Sequence, residues 1–241
     1  MARQLLPEVH LQTEDQYRCE VCRVGRWMYE RGYIVAYGGN LSVRLDAGRI
    51  LTTPTCMNKG MMSPDDLVIV DTEGRHIKGK REVSSEAAIH LLFYRMRPDV
   101  QAVCDGHPVA STGFAAAGLS LTETLVLDKV PLVRYATSGN SDLCAALEPY
   151  IPHNHTFLLA NHGAVTCGPD LLTAFFRMEI LEHSAKTMLS ARLVEQPHWR
   201  GGALAILLAA RARGHEASHP CSRAELSESC LEDRDKTNGL L

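Results

Sequence analysis

The stretch from Tyr33 to Gly79 constrains the fold most. Five short segments, Ile34–Tyr37, Leu41–Leu45, Arg49–Thr52, Leu67–Asp71 and His76–Ile77, are separated by Gly-Gly, Asp-Ala-Gly, Thr-Pro-Thr and Glu-Gly turns. Segments punctuated in this way read as antiparallel strands joined by tight connections. On both sides the pattern turns helical. Thr13-Glu-Asp-Gln16 is a capping box, so a helix is expected from there to Gly32. Ser84-Ser85-Glu86 opens a second helix, with Ala88, Ile89, Leu92 and Phe93 at helical spacing and Pro98 beyond its end. Val100–Cys104 reads as a buried strand, Val109–Ala117 as a small-residue helix closed by Gly118, Leu132–Tyr135 as a strand and Asn140–Leu147 as a helix. Phe157–Cys167 holds two apolar runs broken at Asn161-His162-Gly163. The longest helix is predicted from Pro169-Asp170 to about Val194, with Leu171, Phe175, Met178, Leu181, Ala185 and Met188 on one stripe. A β section followed by alternating helices and strands predicts one α/β or α+β domain over residues 1–195. Residues 196–241 read as a short helix, Ala203–Arg213, and a partly ordered polar tail.

Composition removes several function classes. With 241 residues, 45% hydrophobic and 22% charged, the chain is neither disordered nor fibrous and can bury a sizeable core. The net charge is −3 and no Lys/Arg run occurs, so neither nucleic acid nor an anionic membrane surface is an expected partner. The longest clean apolar run, Ala203–Ala210, is too short to span a bilayer, and the first twelve residues hold no stretch of signal-peptide length. A cytoplasmic location is expected. The eight cysteines are scattered, which fits reduced thiols. Cys19 and Cys22 have the spacing of a redox pair but lie in a helical pattern with no second pair, and read as ordinary helix thiols. G-x-S-x-G, Walker, G-x-G-x-x-G and H-E-x-x-H motifs are all absent.

What remains is a set of polar residues at strand ends. In Asp105-Gly106-His107-Pro108, residues i and i+2 of an extended chain point to the same side, so Asp105 and His107 can grip one ion. His162, at the break in a second apolar run, can approach from the side. One carboxylate and two imidazoles suit Zn²⁺ with an open position, and equally Fe²⁺ or Mn²⁺. On spacing alone the alternative is a turn histidine before Pro108 and a satisfied loop histidine. His153 and His155 form a second same-side pair but sit in a polar loop, and Glu179 with His183 reads as an exposed helical pair. Glu86 lies at a helix start, where the dipole favours a carboxylate. Ser84 and Ser85 beside it offer hydroxyls and free backbone N–H groups, as a phosphate site or as simple capping.

The order of these motifs carries more than any one of them. Gly39-Asn40-Leu41-Ser42, Thr53-Pro54-Thr55, Ser84-Ser85-Glu86, Asp105-Gly106-His107-Pro108 and Asn161-His162-Gly163 together resemble the class II aldolase/adducin family, over about Thr13 to Val194. The resemblance implies a single three-layer α/β/α domain with a central, largely antiparallel sheet, usually in a fourfold-symmetric homotetramer. It implies a sugar or sugar-phosphate substrate whose phosphate is lined by Asn40, Thr55, Ser84 and Ser85, with Glu86 as acid/base. It implies a divalent metal, with Asp105, His107 and His162 at the ligand positions and Zn²⁺ the first expectation. The family pattern has histidine where this chain has Asp105, which moves the preference somewhat toward Mn²⁺ or Fe²⁺. It has glycine where this chain has Cys56, followed here by Lys59 and Gly60. The implied activity is aldol cleavage or formation in a ketose or ketose phosphate through a metal-stabilised enediolate. Epimerisation, decarboxylation or dehydration on the same scaffold, and a non-catalytic adducin-like module, are the alternatives.

Overall fold

A computed structural model describes residues 12–121, 130–135 and 141–195. The predicted tail and its Ala203–Arg213 helix lie outside the described residues. Helix α1, Glu14–Glu30, starts at the expected capping box: the Gln16 N–H donates to Thr13 Oγ1, and the Thr13 N–H donates to Gln16 Oε1 at 2.7 Å. Gly32, at φ 70°, turns the chain out of it.

Eight strands then build one sheet: β1 (Asn40–Arg44), β2 (Ile50–Thr52), β3 (Val68–Val70), β4 (His76–Lys78), β5 (Ala102–Gly106), β6 (Leu132–Val133), β7 (Thr156–Leu159) and β8 (Gly163–Gly168). Their order is β4-β3-β2-β1-β5-β8-β7-β6. Every pairing is antiparallel except β6 with β7. The meander β1–β4 is the tightly turned section of the sequence. The remaining helices are α2 (Ala87–Met96), α3 (Val109–Ala116), α4 (Ser141–Leu147) and α5 (Leu171–Glu195).

Alternation along the strands divides the core in two. Leu41, Val43, Leu51, Ala102, Cys104 and Leu158 pack with Val21, Val24 and Met28 of α1, Phe114 of α3 and the α5 stripe from Leu171 to Ala185. Their strand neighbours Ile50, Val103, Phe157 and Leu159 pack with Ile89, Leu92 and Phe93 of α2 and Leu143 and Leu147 of α4. Period-two alternation with both faces apolar is what a sheet between two helical layers requires. The three-layer α/β/α architecture is therefore present.

One expected strand is not. Ile34–Tyr37 forms turns, with Ala36 at φ 48° and the Gly38 N–H donating to Val35 O. Ile34 alone is buried, while Val35 and Tyr37 are about two-thirds exposed, at 65% and 66%. An apolar run without a partner strand on either side folds back as a loop. This loop closes over the end of β5. The strand expected at Val100–Cys104 is displaced by two residues and runs through Asp105. None of the described helices is long and apolar enough to cross a membrane.

Candidate metal centre

The register of the sheet assembles the site. Asn40 at the start of β1 lies opposite Asp105 at the end of β5, and Asp105 lies opposite Val165 of β8. The β7–β8 connection, Ala160–His162, thus turns beside the end of β5. Asn161 makes that turn at φ 55°, a conformation an asparagine tolerates. Gly163 follows because a Cβ there would sit 2.6 Å from His107 Cδ2. The His107 N–H donates to Tyr33 O at 2.7 Å, which ties the residue after β5 to the end of the α1 turn.

Asp105, His107 and His162 each offer a ligand atom, all within 4.8 Å of one another. His107 Nε2 lies 3.9 Å from Asp105 Oδ1, and the two imidazoles stack at 5.3 Å between centroids. Asp105 is fully buried, and neither of its oxygens has a hydrogen-bond partner; His162 Nδ1 is likewise buried and unpartnered. Three orphaned ligand-type atoms in one place are costly in a folded protein. A divalent cation is a partner that satisfies them together, so the residues present fit such an ion.

Electrostatics follow from this crowding. Burial, and then the Glu86 carboxylate, push the Asp105 carboxyl up to about 8, against the pull of His162 and Lys59. Burial and then His162 lower His107. Burial also works against a charged His162, but the Glu86 hydrogen bond and the two carboxylates outweigh it and raise that residue. Cation binding and protonation compete for the same atoms, so an ion would displace the protons held here.

Glu86 sits one residue before α2, and the Ser84 Oγ accepts its N–H at 3.3 Å. Its Oε1 lies 3.2 Å from His162 Nε2, and Asn40 Nδ2 donates to its Oε2. The carboxylate is therefore gripped from β1 on one side and faces His162 on the other. Behind it runs a buried polar string between β1 and α2. Ser42 Oγ lies 2.7 Å from both His90 Nδ1 and Tyr94 OH, and the Arg44 guanidinium donates to Tyr94 O at 2.7 Å. Residues 40, 42 and 44 of the strand match 86, 90 and 94 on the helix side because two strand residues and four helix residues span nearly the same length.

The expected phosphate residues are distributed around Glu86. Asn40 is buried, Thr55 and Ser84 are half-buried and Ser85 is exposed. A bridge between Pro54 and Val83, and the Thr55 N–H donated to Glu82 O, lay the two hydroxyl-bearing loops side by side. Asn40 is engaged with Glu86, so part of its hydrogen-bonding capacity is already spent. Cys56 adopts φ 51°, the left-handed region that favours glycine. The competing motifs lie elsewhere. His155 meets Arg97 at 2.8 Å, and Glu179 pairs with Arg31 at 2.6 Å rather than with His183. Cys19 and Cys22 are free thiols on α1.

Two residues of this neighbourhood carry no sequence signal. Lys59 is 2% exposed and donates to Tyr37 O at 2.8 Å. Glu182 of α5 is equally buried and accepts from the N–H groups of Ala110 and Ser111 at the start of α3.

Comparison with known proteins places the chain in a family. Residues 19–189 match the Class II Aldolase and Adducin N-terminal domain. The chain is 35% identical to the 3-oxo-tetronate 4-phosphate decarboxylase of Haemophilus influenzae, over 68% of this chain and 82% of that protein. It is 34% identical to the L-fuculose phosphate aldolase of Methanocaldococcus jannaschii, over 72% of this chain and 96% of the relative. Among solved structures, the L-fuculose-1-phosphate aldolase of Thermus thermophilus superposes with a TM-score of 0.68 at 28% identity, covering 80% of this chain and all (100%) of that one. With the match covering more than half of the chain, the chain belongs to the class II aldolase and adducin family.

Proposed function

We propose that the chain is a metal-dependent carbon–carbon lyase, an aldolase acting on a ketose or ketose phosphate. The observation that carries this is the buried Asp105 carboxyl with no partner, next to His107 and His162 and facing Glu86. Asp105, His107 and His162 would hold the ion, Zn²⁺ first, with Mn²⁺ or Fe²⁺ the alternatives that the harder carboxylate ligand brings into range. When bound, such an ion supplies Lewis-acid stabilisation of the charge that develops on a carbonyl oxygen as the adjacent carbon–carbon bond breaks. Glu86 moves the proton at the reacting carbon; Asn40 fixes its carboxylate so that one oxygen stays directed at the centre. The hydroxyls of Thr55, Ser84 and Ser85, and the second amide proton of Asn40, offer donors to a substrate phosphate. A fourfold homotetramer is the assembly this reading takes.

Decarboxylation is a second reading, favoured by the activity of the Haemophilus influenzae relative. Both reactions break a carbon–carbon bond and leave negative charge beside a carbonyl, so the same residues serve either. The test has two stages. Purified protein is offered Zn²⁺, Mn²⁺ and Fe²⁺ in turn and analysed for bound ion; one ion per chain is expected, and none would favour a non-catalytic module. Ketose phosphates and 3-oxo acid phosphates are then screened with aldehyde release and CO₂ release read separately. Aldehyde supports the aldolase, and CO₂ without aldehyde replaces it with the decarboxylase.

A further inference from the structure

Lys59 is a costly residue to bury. An ammonium taken out of water loses its hydration, and an aliphatic side chain could fill the same channel without that loss. Yet its place is closely defined. Lys59 opens a short 3-10 turn, Lys59–Met61, whose Gly60 N–H donates to Asn58 Oδ1 at 2.8 Å. That turn is pressed onto α1: a Cβ on Gly25 would sit 2.6 Å from Lys59 O, and one on Gly60 would sit 2.7 Å from the Tyr29 ring. The side chain runs beneath the Tyr33–Asn40 loop, and one of its three donors goes to Tyr37 O. Tyr37 is followed by Gly38, where a Cβ would sit 3.0 Å from His107 Nδ1, so the ammonium on Tyr37 O lies beside the candidate ligand set, within electrostatic reach of Glu86, Cys56 and Asp105. Burial pushes the ammonium down from its ordinary range, and Glu86, Cys56 and Asp105 pull it back up.

We propose that Lys59 is a fixed cation of the centre that holds an anionic oxygen group of the ligand, a phosphate or a carboxylate, once a divalent ion is in place. The inference rests on the metal reading above. With Asp105 and Glu86 ionised, their two charges cancel a divalent ion, and Lys59 leaves the loaded centre with one net positive charge. Without the ion the same ammonium has only acidic neighbours and no second cation beside it, so anion affinity is switched on by metal. The Cys56 loop adds a reason. A side chain there keeps backbone N–H groups from the close approach to an anion that glycine allows, and a side-chain cation restores the lost attraction.

The test uses the full chain with Lys59→Gln, which keeps a donor and removes the charge, and Lys59→Arg, which keeps the charge. Mn²⁺ affinity is measured by calorimetry. Inorganic phosphate and acetate are then titrated separately into the Mn²⁺-loaded protein. For Lys59→Gln, Mn²⁺ should bind several-fold tighter, on the order of one lost repulsion at high effective dielectric. Binding of the anion should weaken roughly 10- to 100-fold, the size of one charge-assisted hydrogen bond. Lys59→Arg should keep both near wild type. A loss confined to phosphate assigns a phosphate, and a loss confined to acetate assigns a carboxylate. A mere strut under the Tyr37 loop would weaken metal and anion together, and that outcome overturns the proposal, as does unchanged binding of both anions. If no ion binds to the wild type, the metal reading itself has failed, which the first titration reports separately. Should Lys59→Gln not fold, the ¹⁵N shift of Lys59 Nζ in the wild type loaded with diamagnetic Zn²⁺ must still move on addition of the anion; a static signal overturns the proposal.

Discussion

Glu182 and Asp105 are both buried acids, at 2% and 0% exposure; Asp105 lies two residues before His107, and Glu182 is bonded to the chain three and four residues after it. Glu182 reaches from the middle of α5 to the start of α3. It accepts from Ala110 N at 3.0 Å, from Ser111 N at 2.9 Å and from Ser111 Oγ at 2.9 Å, with Lys186 Nζ at 3.3 Å. It takes the role of an N-cap that Pro108, the residue at the cap position, has no side-chain group to fill. Asp105 ends β5 with neither oxygen hydrogen-bonded and with a second carboxylate, Glu86, facing it. Burial is the same in the two places; saturation is not. A buried carboxylate supplied with donors holds the fold together, whereas one left without them is kept for something that binds.

The sharpest way to break this contrast is to remove the ligands. His107→Ala and His162→Ala should each abolish ion retention, since three protein ligands are the minimum for a catalytic site of this kind. Elemental analysis after gel filtration reads the outcome, and full retention in either variant would return Asp105 to the class of unexplained buried acids. The next effect in size concerns Glu86. Glu86→Gln keeps the shape and the Asn40 contact but removes the titrating group. Turnover on the identified substrate should fall roughly 10²- to 10⁴-fold with ion content and substrate affinity little changed. A loss of stability matching the loss of activity would make Glu86 a helix-end residue and nothing more.

Glu182 gives the third effect, and it should appear in stability alone. Glu182→Ala leaves two buried backbone donors unpaired and the Ser111 hydroxyl with only its longer bond to Pro108 O, at 3.3 Å. The expected cost is roughly 3 kcal/mol or more, at about 1–3 kcal/mol per stranded group. Denaturant unfolding reads it. Ion content should persist in the folded fraction, and a variant as stable as wild type but devoid of metal would invert the division drawn between the two acids.

How much of this the sequence displays depends on how far apart the partners lie along the chain. Asp105 and His107 are two residues apart on an extended segment, so their shared side is legible in the sequence itself. His162 announces itself by breaking an apolar run between two strands. The capping box and the α5 stripe are local patterns and appear where expected. Glu182 and Ala110 are 72 residues apart, and Ser42 and His90 are 48 apart, and no periodicity joins them. In the sequence Lys59 is only a residue after a turn, because its meaning comes from Tyr37, 22 residues earlier, and from the carboxylates the sheet brings to it. The departure at Ile34–Tyr37 has a physical source too. Apolar content alone suggests a strand there, but Gly38-Gly39 follows immediately, and Gly39 turns the chain at φ 70° where a Cβ would lie 2.8 Å from Asp105 O.

His90 falls between the two acids and supplies the smallest effect. Its Nδ1 is bonded to Ser42 and its Nε2 is buried without a partner. Burial lowers it to about 4, with Glu86 pulling weakly the other way. The unfolded chain binds a proton near the ordinary histidine value of 6.5 that the folded chain refuses until about 4. Stability from this residue is therefore complete above 6.5 and is lost as the pH falls through that window. From about pH 7 to about pH 5 the loss is about 2 kcal/mol, at about 1.36 kcal/mol per unit below the unfolded value. Asp105, raised to about 8, acts with the opposite sign over the same range in ion-free protein, since its neutral form is the stable one. The two slopes cancel in a single melting curve, so the measurement has to be a difference. With chelator present, wild type and His90→Leu are unfolded by denaturant at each pH, and Asp105 drops out of the subtraction. The gap between them should narrow by about 2 kcal/mol toward about pH 5. A constant gap would mean that His90 takes up its proton in the fold as readily as in the unfolded chain, and a widening gap that it is protonated in the fold already; either result overturns the neutral, buried histidine.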